Sequence, residues 1–333
     1  MRHRVLLAVL LLSLPSVAVG QVRIVQTNSQ GDNLHLIDPA TNTIVGEITG
    51  IPLAHGASAS PDGRRLYVSS EAKRTLDVVD VASRAIVKEI PLSGRPNNIH
   101  LSKDGSLLYV AIVSQPGALD VIDTATLENV RSIKTNGGIH NVYVTPDGRH
   151  IVAGSIGGQN MTVYDQETEE EEWRLFDEGV RPIAIETNAD GSTKRLFVEI
   201  SDHHGFAIVD FATRREVGRV TLPDVPEAER EPGPFNRAPA HGIGVAPDGK
   251  TLWVNSRMNG HVYVYSLPDV TLLGGVKVGR HPDWLTFTPD SKTIYVANQE
   301  SNSVSAIDIA TRTETARIPV GKIPKRNTTL VIR

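Results

Sequence analysis

The chain has 333 residues, of which 40% are hydrophobic and 22% are charged, and it contains no cysteine. This composition is typical of a globular protein. The absence of cysteine excludes disulfides, thiol nucleophiles, Fe–S clusters and thiolate zinc sites. The formal net charge of −4 gives no electrostatic reason to expect nucleic acid or an anionic membrane as a partner.

The first twenty residues have the pattern of a secretory signal peptide. A basic start at 2–4 precedes an apolar run at 5–14, and small residues follow at 17–20. The apolar run is too short to anchor the chain in a bilayer. We therefore predict a signal peptide at 1–20, cleavage near Gly20/Gln21, and a mature protein that is periplasmic or secreted, without membrane insertion.

A turn signal of the Pro-Asp-Gly type recurs through the mature chain. The turn aspartates are separated by 42, 43, 43, 58 and 42 residues, and a period of about 40–45 residues is typical of propeller blades. The six turn positions are Asp62, Asp104, Asp147, Asp190, Asp248 and Asp290. The pattern therefore predicts one repeated unit with a single insertion.

Strand signals surround each turn. An alternating strand precedes it, and an apolar-aromatic strand such as Leu108-Tyr109-Val110 follows it, with two further strands behind. The N-terminal strands within 23–48 lack a first strand, and 328–333 is a first strand without successors. The sequence therefore predicts an all-β, seven-bladed propeller over 21–333, with four antiparallel strands per blade and one blade shared by the two chain ends.

The turn followed by Leu-Tyr-Val-Ser/Ala-Asn, clearest in 289–298, resembles the YVTN family of β-propeller repeats. The resemblance covers essentially the whole mature chain and implies the propeller fold. It leaves the function open, because similar propellers serve as surface-layer proteins, binding modules, electron-transfer subunits and enzymes. The sequence contains no haem-attachment motif and no phosphate-cradling glycine loop, and we expect no nucleotide, haem or Fe–S cluster.

Antiparallel connectivity places the Pro-Asp-Gly turns at one end of the ring, the turn end. The loops between second and third strands and the links between blades lie at the other end, which we call the top face. Seven residues before the turn aspartate, the innermost strand enters from the top face. This position holds His55, Asn97, His140, Ile183, His241 and Asp283 in the six complete repeats.

Three histidines on alternate blades suggest a metal site in the central channel. Imidazoles of His55, His140 and His241 would suit one transition metal ion (Cu, Zn, Fe or Ni) with a position left open for water or substrate. Further candidate ligands are Asn97, Asp283, His203 and His204. The alternative is that these are polar channel or inter-blade side chains that bond to water or backbone, some of them shared through repeat duplication.

The proline-rich link between blades five and six, residues 223–240, also lies on the top face. A link of this length is either a binding loop or lid, or a tolerated surface insertion. As a lid it would present Phe235 and Arg237 to a ligand, together with Trp284 and His281. Glu199 and Asp283 are the candidate catalytic carboxylates, although a solvent-exposed Glu199 is the alternative.

Two functions follow. The first is a monomeric, exported propeller that binds a small molecule or partner protein through its His-rich top face and central channel. The second is a metal-dependent lyase, hydrolase or oxidase that uses the three-His site.

Overall fold

The computed structural model describes residues 20–235 and 237–333. The signal peptide predicted for 1–20 lies outside these residues except for Gly20, and it stays a prediction. No helix among the described residues is long and apolar enough to cross a membrane.

Twenty-eight strands account for most of the described chain, together with two single 3-10 turns at Glu227–Glu229 and Gln299–Ser301. In chain order the strands are β1 (Gln21–Asn28), β2 (Asn33–Asp38), β3 (Thr43–Thr49), β4 (Ala54–Ala59), β5 (Arg65–Ser70), β6 (Thr75–Asp80), β7 (Ala85–Pro91), β8 (Pro96–Leu101), β9 (Leu107–Ile112), β10 (Ala118–Asp123), β11 (Glu128–Lys134), β12 (Ile139–Val144), β13 (His150–Ser155), β14 (Asn160–Asp165), β15 (Glu171–Leu175), β16 (Val180–Thr187), β17 (Thr193–Ile200), β18 (Gly205–Asp210), β19 (Arg215–Thr221), β20 (Ala240–Val245), β21 (Thr251–Ser256), β22 (His261–Ser266), β23 (Leu272–Lys277), β24 (Pro282–Phe287), β25 (Thr293–Asn298), β26 (Ser303–Asp308), β27 (Thr313–Pro319) and β28 (Pro324–Ile332).

These strands form seven antiparallel four-stranded sheets, which confirms the predicted propeller. Six sheets contain consecutive strands, and the seventh has the order β28-β1-β2-β3. The C-terminal strand therefore supplies the innermost strand of the N-terminal blade, as predicted. It begins at Pro324, four residues earlier than the sequence pattern indicated, and this difference brings Lys325 and Arg326 into the channel.

The recurring turn has a simple chemical cause. In the first complete repeat, the Asp62 carboxylate accepts a hydrogen bond from the Arg64 amide at 3.0 Å. Gly63 has a φ of +71°, and a Cβ there would lie 2.1 Å from the Val331 carbonyl oxygen. The turn needs glycine both for its left-handed backbone and for the close approach of the neighbouring strand.

The apolar core lies between the blades. Five of the seven second strands carry a Tyr, Phe or Trp residue, which is buried and packs against the next blade. Tyr67 packs with Leu108 and Val110, and Phe197 packs with Leu252. A single four-stranded sheet cannot bury both of its faces, so closure of the ring is what completes the core.

Closure depends on β28. Leu330 is fully buried and packs in the cluster that joins the first two blades. We expect Leu330→Ala to lower the free energy of unfolding by about 2–5 kcal/mol, since the ring cannot collapse around the deleted side chain. Urea unfolding measures this change. The control is Leu272→Ala on an outer strand, where the side chain is 44% exposed and the loss should stay within about 0.5 kcal/mol. Equal losses in the two variants would contradict a closure that depends on β28.

Candidate functional site in the central channel

Seven polar side chains form a ring at the top end of the channel, one from each innermost strand. In every blade, the first residue of this strand pairs with the last residue of the second strand, and a register shift follows. The next residue enters the channel. These residues, which we call the channel ring, are Lys325, His55, Asn97, His140, Arg181, His241 and Asp283.

The prediction that Ile183 occupies this position in blade five is wrong. Ile185 pairs with Leu196 as Ala59 pairs with Leu66 in blade two, but the hairpin that follows has two extra residues before the turn aspartate in blade five. Counting back seven residues from the turn aspartate therefore stops two residues short of the channel position. The channel residue is Arg181, whereas Ile183 pairs with Val198 in the inter-blade core.

His55 is paired with a carboxylate. Its Nδ1 contacts the Glu71 Oε1, and the Glu71 Oε2 accepts a hydrogen bond from Arg95 at 3.2 Å. Burial, together with the charge of Lys325, lowers the pKa of His55 to about 4. Burial opposes ionisation of Glu71, but the hydrogen bond from His55 and the neighbouring cations outweigh it and lower its pKa to about 2. The pair is therefore a neutral imidazole that donates to a carboxylate.

His140 and His241 are brought together. Their rings meet edge to face with centroids 5.7 Å apart. His241 Nδ1 lies 2.8 Å from the Asp283 carbonyl oxygen, to which it donates, whereas the buried Nδ1 of His140 has no hydrogen-bond partner. Burial and the nearby arginines lower the pKa of both imidazoles well below the usual value. Both rings are neutral near pH 7, and His140 keeps one nitrogen available.

Glu199 is fully buried, so the alternative of a solvent-exposed side chain is wrong. Its Oε2 accepts a hydrogen bond from the Gly242 amide at 2.8 Å, and its Oε1 has no partner. Burial raises the pKa of Glu199 to about 8, although the Gly242 amide and the charges of Arg257 and Arg181 oppose the shift. A carboxyl group with this pKa can both donate and accept a proton near neutral pH.

Two buried arginines flank Glu199. Arg181 Nε donates to the Ser201 hydroxyl at 3.0 Å, and burial lowers its pKa only to about 10, so it remains charged. Arg257 Nη2 pairs with Asp283 Oδ1, while its buried Nε has no hydrogen-bond partner. Neither residue was identified from the sequence. Arg181 was missed because of the longer hairpin in blade five, and Arg257 because it follows a second strand rather than standing on a first one.

The proline-rich link closes the top face. The Phe235 carbonyl oxygen accepts a hydrogen bond from Arg257 at 3.4 Å, and the Phe235 ring lies 5.1 Å from the His281 ring. A cavity of about 210 Å³ lies beneath residues 232–234, with His281 and Arg257 in its wall. His281 lines this cavity, and Phe235 lies against the His281 ring. Their role in binding a ligand stays a prediction.

Arg237 does not line this pocket. Its side chain is 70% exposed and pairs with Asp202, because the loop turns outward there. Trp284 lies deeper in the channel, with its ring 6.1 Å from that of His241. At the turn end of the channel, a wider cavity of about 560 Å³ opens between the inner strands.

The predicted three-His metal site is not assembled by residues 20–235 and 237–333. No group of three or more His, Asp or Glu side chains in these ranges could hold a metal ion. His55 faces Glu71, and His241 faces a backbone carbonyl. The two supplementary candidates are engaged elsewhere: His203 Nε2 bonds to the Val220 carbonyl and His204 Nε2 to the Ser256 hydroxyl. Asn97 and Asp283 bond to Arg326 and Arg257 instead.

Comparison with known proteins agrees with this architecture. Residues 114–331 match the family model described as "Lactonase, 7-bladed beta-propeller", and residues 21–156 match that of the "Cytochrome D1 heme domain". The first match covers more than half of the chain, which therefore belongs to the lactonase family of seven-bladed β-propellers. The resemblance to YVTN repeats is confirmed only in the propeller that it implied.

Solved structures give the same fold. A Kuenenia stuttgartiensis hydrazine synthase structure is 25% identical, with a TM-score of 0.73, over 85% of this chain and 91% of that one. The Pseudomonas aeruginosa periplasmic gluconolactonase is 18% identical, with a TM-score of 0.75, over 94% of this chain and 100% of that one. A putative 6-phosphogluconolactonase from Bacteroides fragilis is 17% identical, with a TM-score of 0.75, over 95% of this chain and 99% of that one. No curated protein sequence matches the chain.

The match to a heme domain removes support for the expectation that haem is absent. The two channel cavities have volumes of about 220 Å³ and about 560 Å³, and sites for organic ligands usually have about 300–1,000 Å³. Neither cavity is lined by His140 or His241, whose rings contact each other instead. These two histidines therefore do not hold a haem iron in this arrangement.

The raised pKa of Glu199 predicts an unusual pH dependence of stability. Protons bind this carboxyl more tightly in the folded state than in the unfolded state. Its contribution to the free energy of unfolding is therefore fully present below pH 4.5 and is lost as the pH rises towards about 8. We expect Glu199→Gln to gain stability relative to wild type between pH 5 and pH 9 in urea unfolding. The exposed Glu128→Gln serves as control and should show no such trend. A parallel pH dependence of wild type and Glu199→Gln would contradict the shifted pKa.

Proposed function

We propose that the protein opens or closes the lactone ring of a small hydroxy acid inside its central channel. The observation that carries this proposal is Glu199, a buried carboxyl with one unpartnered oxygen and a pKa of about 8. It is flanked by Arg181 and Arg257 in a propeller of the lactonase family. Two solved structures of this fold are described as a gluconolactonase and a putative 6-phosphogluconolactonase, which suggests an aldonolactone as the first substrate to try.

Hydrolysis of a lactone places defined demands on such a site. A water oxygen adds to the ring carbonyl carbon, and negative charge develops on the carbonyl oxygen. The bond from that carbon to the ring oxygen then breaks, and the ring oxygen needs a proton as it leaves. Guanidinium groups that are fixed in a buried site stabilise developing negative charge effectively, since no solvent must reorganise. Arg181 and Arg257 take this role, and afterwards they hold the product carboxylate.

The proton transfers fall to Glu199. Its ionised form accepts the proton that the attacking water loses and then donates this proton to the leaving ring oxygen, and a pKa near the working pH suits both roles. The neutral His140, whose Nδ1 has no partner, accepts a hydrogen bond from the water and orients it. The reverse sequence closes the ring, because the same groups act in the opposite direction.

Ligand binding without turnover is the second candidate function, and the link at 223–235 favours it. This link is held across the top face by Arg257 and by Asn259, whose side chain donates to the Pro223 carbonyl at 2.8 Å. A closed top face suits retention of a bound organic anion as well as exclusion of water. Partner proteins at the top face would contact the outer surface of the same link.

We further propose that the protein is exported. The support is the signal-peptide pattern of residues 1–20 and the periplasmic description of the related gluconolactonase fold. Mass spectrometry of protein recovered from the exported fraction should show an N-terminus at Gln21. An intact Met1 in that fraction would contradict export by signal cleavage.

Loss of the Glu199 carboxyl tests the catalytic proposal. With D-glucono-1,5-lactone, measured in a pH-stat after subtraction of spontaneous hydrolysis, we expect Glu199→Gln to lower kcat/KM by about 10²–10⁴-fold. The matched control is Asp77→Asn, which removes another buried carboxylate of raised pKa on an outer strand, and it should retain wild-type activity.

The outcomes separate the two candidate functions. Turnover by wild type that Glu199→Gln abolishes supports the enzyme. Tight binding of gluconate without turnover of its lactone favours the ligand-binding function instead. Equal turnover by wild type and Glu199→Gln would overturn the role of this residue.

A further inference from the structure

Arg326 is a buried charge in the channel that pairs with no carboxylate among the described residues, and the proposed catalytic role does not use it. It stands on β28 and is only 3% exposed. Its Nη2 donates to the Asn97 side-chain oxygen at 2.9 Å, and its guanidinium carbon lies 3.7 Å from the centroid of the Trp284 ring. Its backbone amide donates to the Thr27 hydroxyl at 3.1 Å. The side chain is therefore held in a fixed position by neutral groups.

The remaining nitrogens of Arg326 have no partner. Nε and Nη1 are both buried without a hydrogen bond, and no carboxylate of the described residues forms an ion pair with this side chain. Burial lowers its pKa only to about 10, so the group is charged at neutral pH. A buried charge without a counter-ion is costly, and the same unused donors are what a bound anion would need.

A cavity lies against this guanidinium. It has a volume of about 220 Å³, and Arg326 and Trp284 line it together with the apolar side chains of Ile99 and Leu285 and the ring of Tyr143. It adjoins the wider cavity of about 560 Å³ at the turn end, with which it shares wall residues. The shared residues are Ser58, His100, Tyr143, Leu285 and Thr286.

We propose that Arg326 anchors a second ligand site, which takes a small organic carboxylate with a flat apolar body and is entered from the turn end of the channel. The carboxylate accepts a hydrogen bond from one of these two donors, which lie on different edges of the guanidinium, and the apolar body packs between Tyr143, Ile99 and Leu285. This site does not depend on the lactonase proposal, since none of its contacts involves Glu199, Arg181 or Arg257.

Calorimetric titration with benzoate tests the proposal. We expect one benzoate per chain, no binding of the uncharged isostere benzamide, and at least about tenfold weaker benzoate binding by Arg326→Leu. The control Arg317→Leu removes an exposed arginine of an outer strand, changes the net charge equally, and should bind benzoate as wild type does. Inorganic phosphate is titrated separately to distinguish an organic carboxylate from a free inorganic anion.

Ser58→Leu provides a second variant that leaves the guanidinium in place. Its larger side chain takes up space in the wall that the two cavities share, and we expect at least about tenfold weaker benzoate binding. Glu199→Gln should bind benzoate normally, which separates this site from the catalytic one. The proposal is overturned if wild type does not bind benzoate, if benzamide or phosphate binds as well as benzoate, or if Arg326→Leu and Ser58→Leu both retain wild-type affinity.

Discussion

Closure of the ring is the constraint on which the rest of this structure depends. Each blade is a four-stranded sheet with two apolar faces, and it can bury both only between two neighbours. Seven blades therefore surround one axis, and the second residues of the seven innermost strands converge there. Side chains at those positions are buried or half-buried because of where the strand begins, whatever their polarity. The channel ring, from Lys325 to Asp283, is the result.

A polar side chain that is buried in the channel either forms a hydrogen bond or an ion pair, or its pKa is shifted. The His55–Glu71 and Arg257–Asp283 pairs find partners. Glu199 keeps one oxygen unpaired and becomes a weak acid, and Arg326 keeps its charge without a counter-ion. The groups with incomplete hydrogen bonding are the ones that we assign to a reaction or a ligand. This is the ordinary relation between perturbed side chains and functional sites, expressed here by the geometry of a ring.

The sequence predicts the seven-bladed ring well because the turn and strand patterns that indicate each blade lie within a few residues of one another. The turn around Asp62 and Gly63 depends on hydrogen bonds within a few residues, so its recurrence reports the number of blades directly. The channel residues are harder to predict, because they depend on register. Arg181 was missed because the hairpin of blade five has two extra residues before its turn aspartate, and Arg326 because β28 begins at Pro324 rather than at 328.

A sequence signal for Arg326 did exist. Pro96, Pro282 and Pro324 each begin an innermost strand, and each is followed by two channel residues, so a shared proline marks the position in three blades. Arg257 and Glu71 offered no comparable signal, since they follow second strands and reach the channel only through the packing of neighbouring blades. The three histidines of the metal-site hypothesis do lie in the channel ring. Their spacing in the sequence does not predict which side chains they contact, and those contacts decide whether they can bind a metal.

The central claim is that the buried charges of the channel bind an organic anion. A crystal structure of the protein with gluconate, the hydrolysis product of the test lactone, examines this most directly. We expect the sugar acid to lie within the channel, with its carboxylate in hydrogen-bond contact with Arg181 or Arg257 and a hydroxyl near Glu199. Gluconate bound only on the outer surface, with the channel residues in their present contacts, would contradict it.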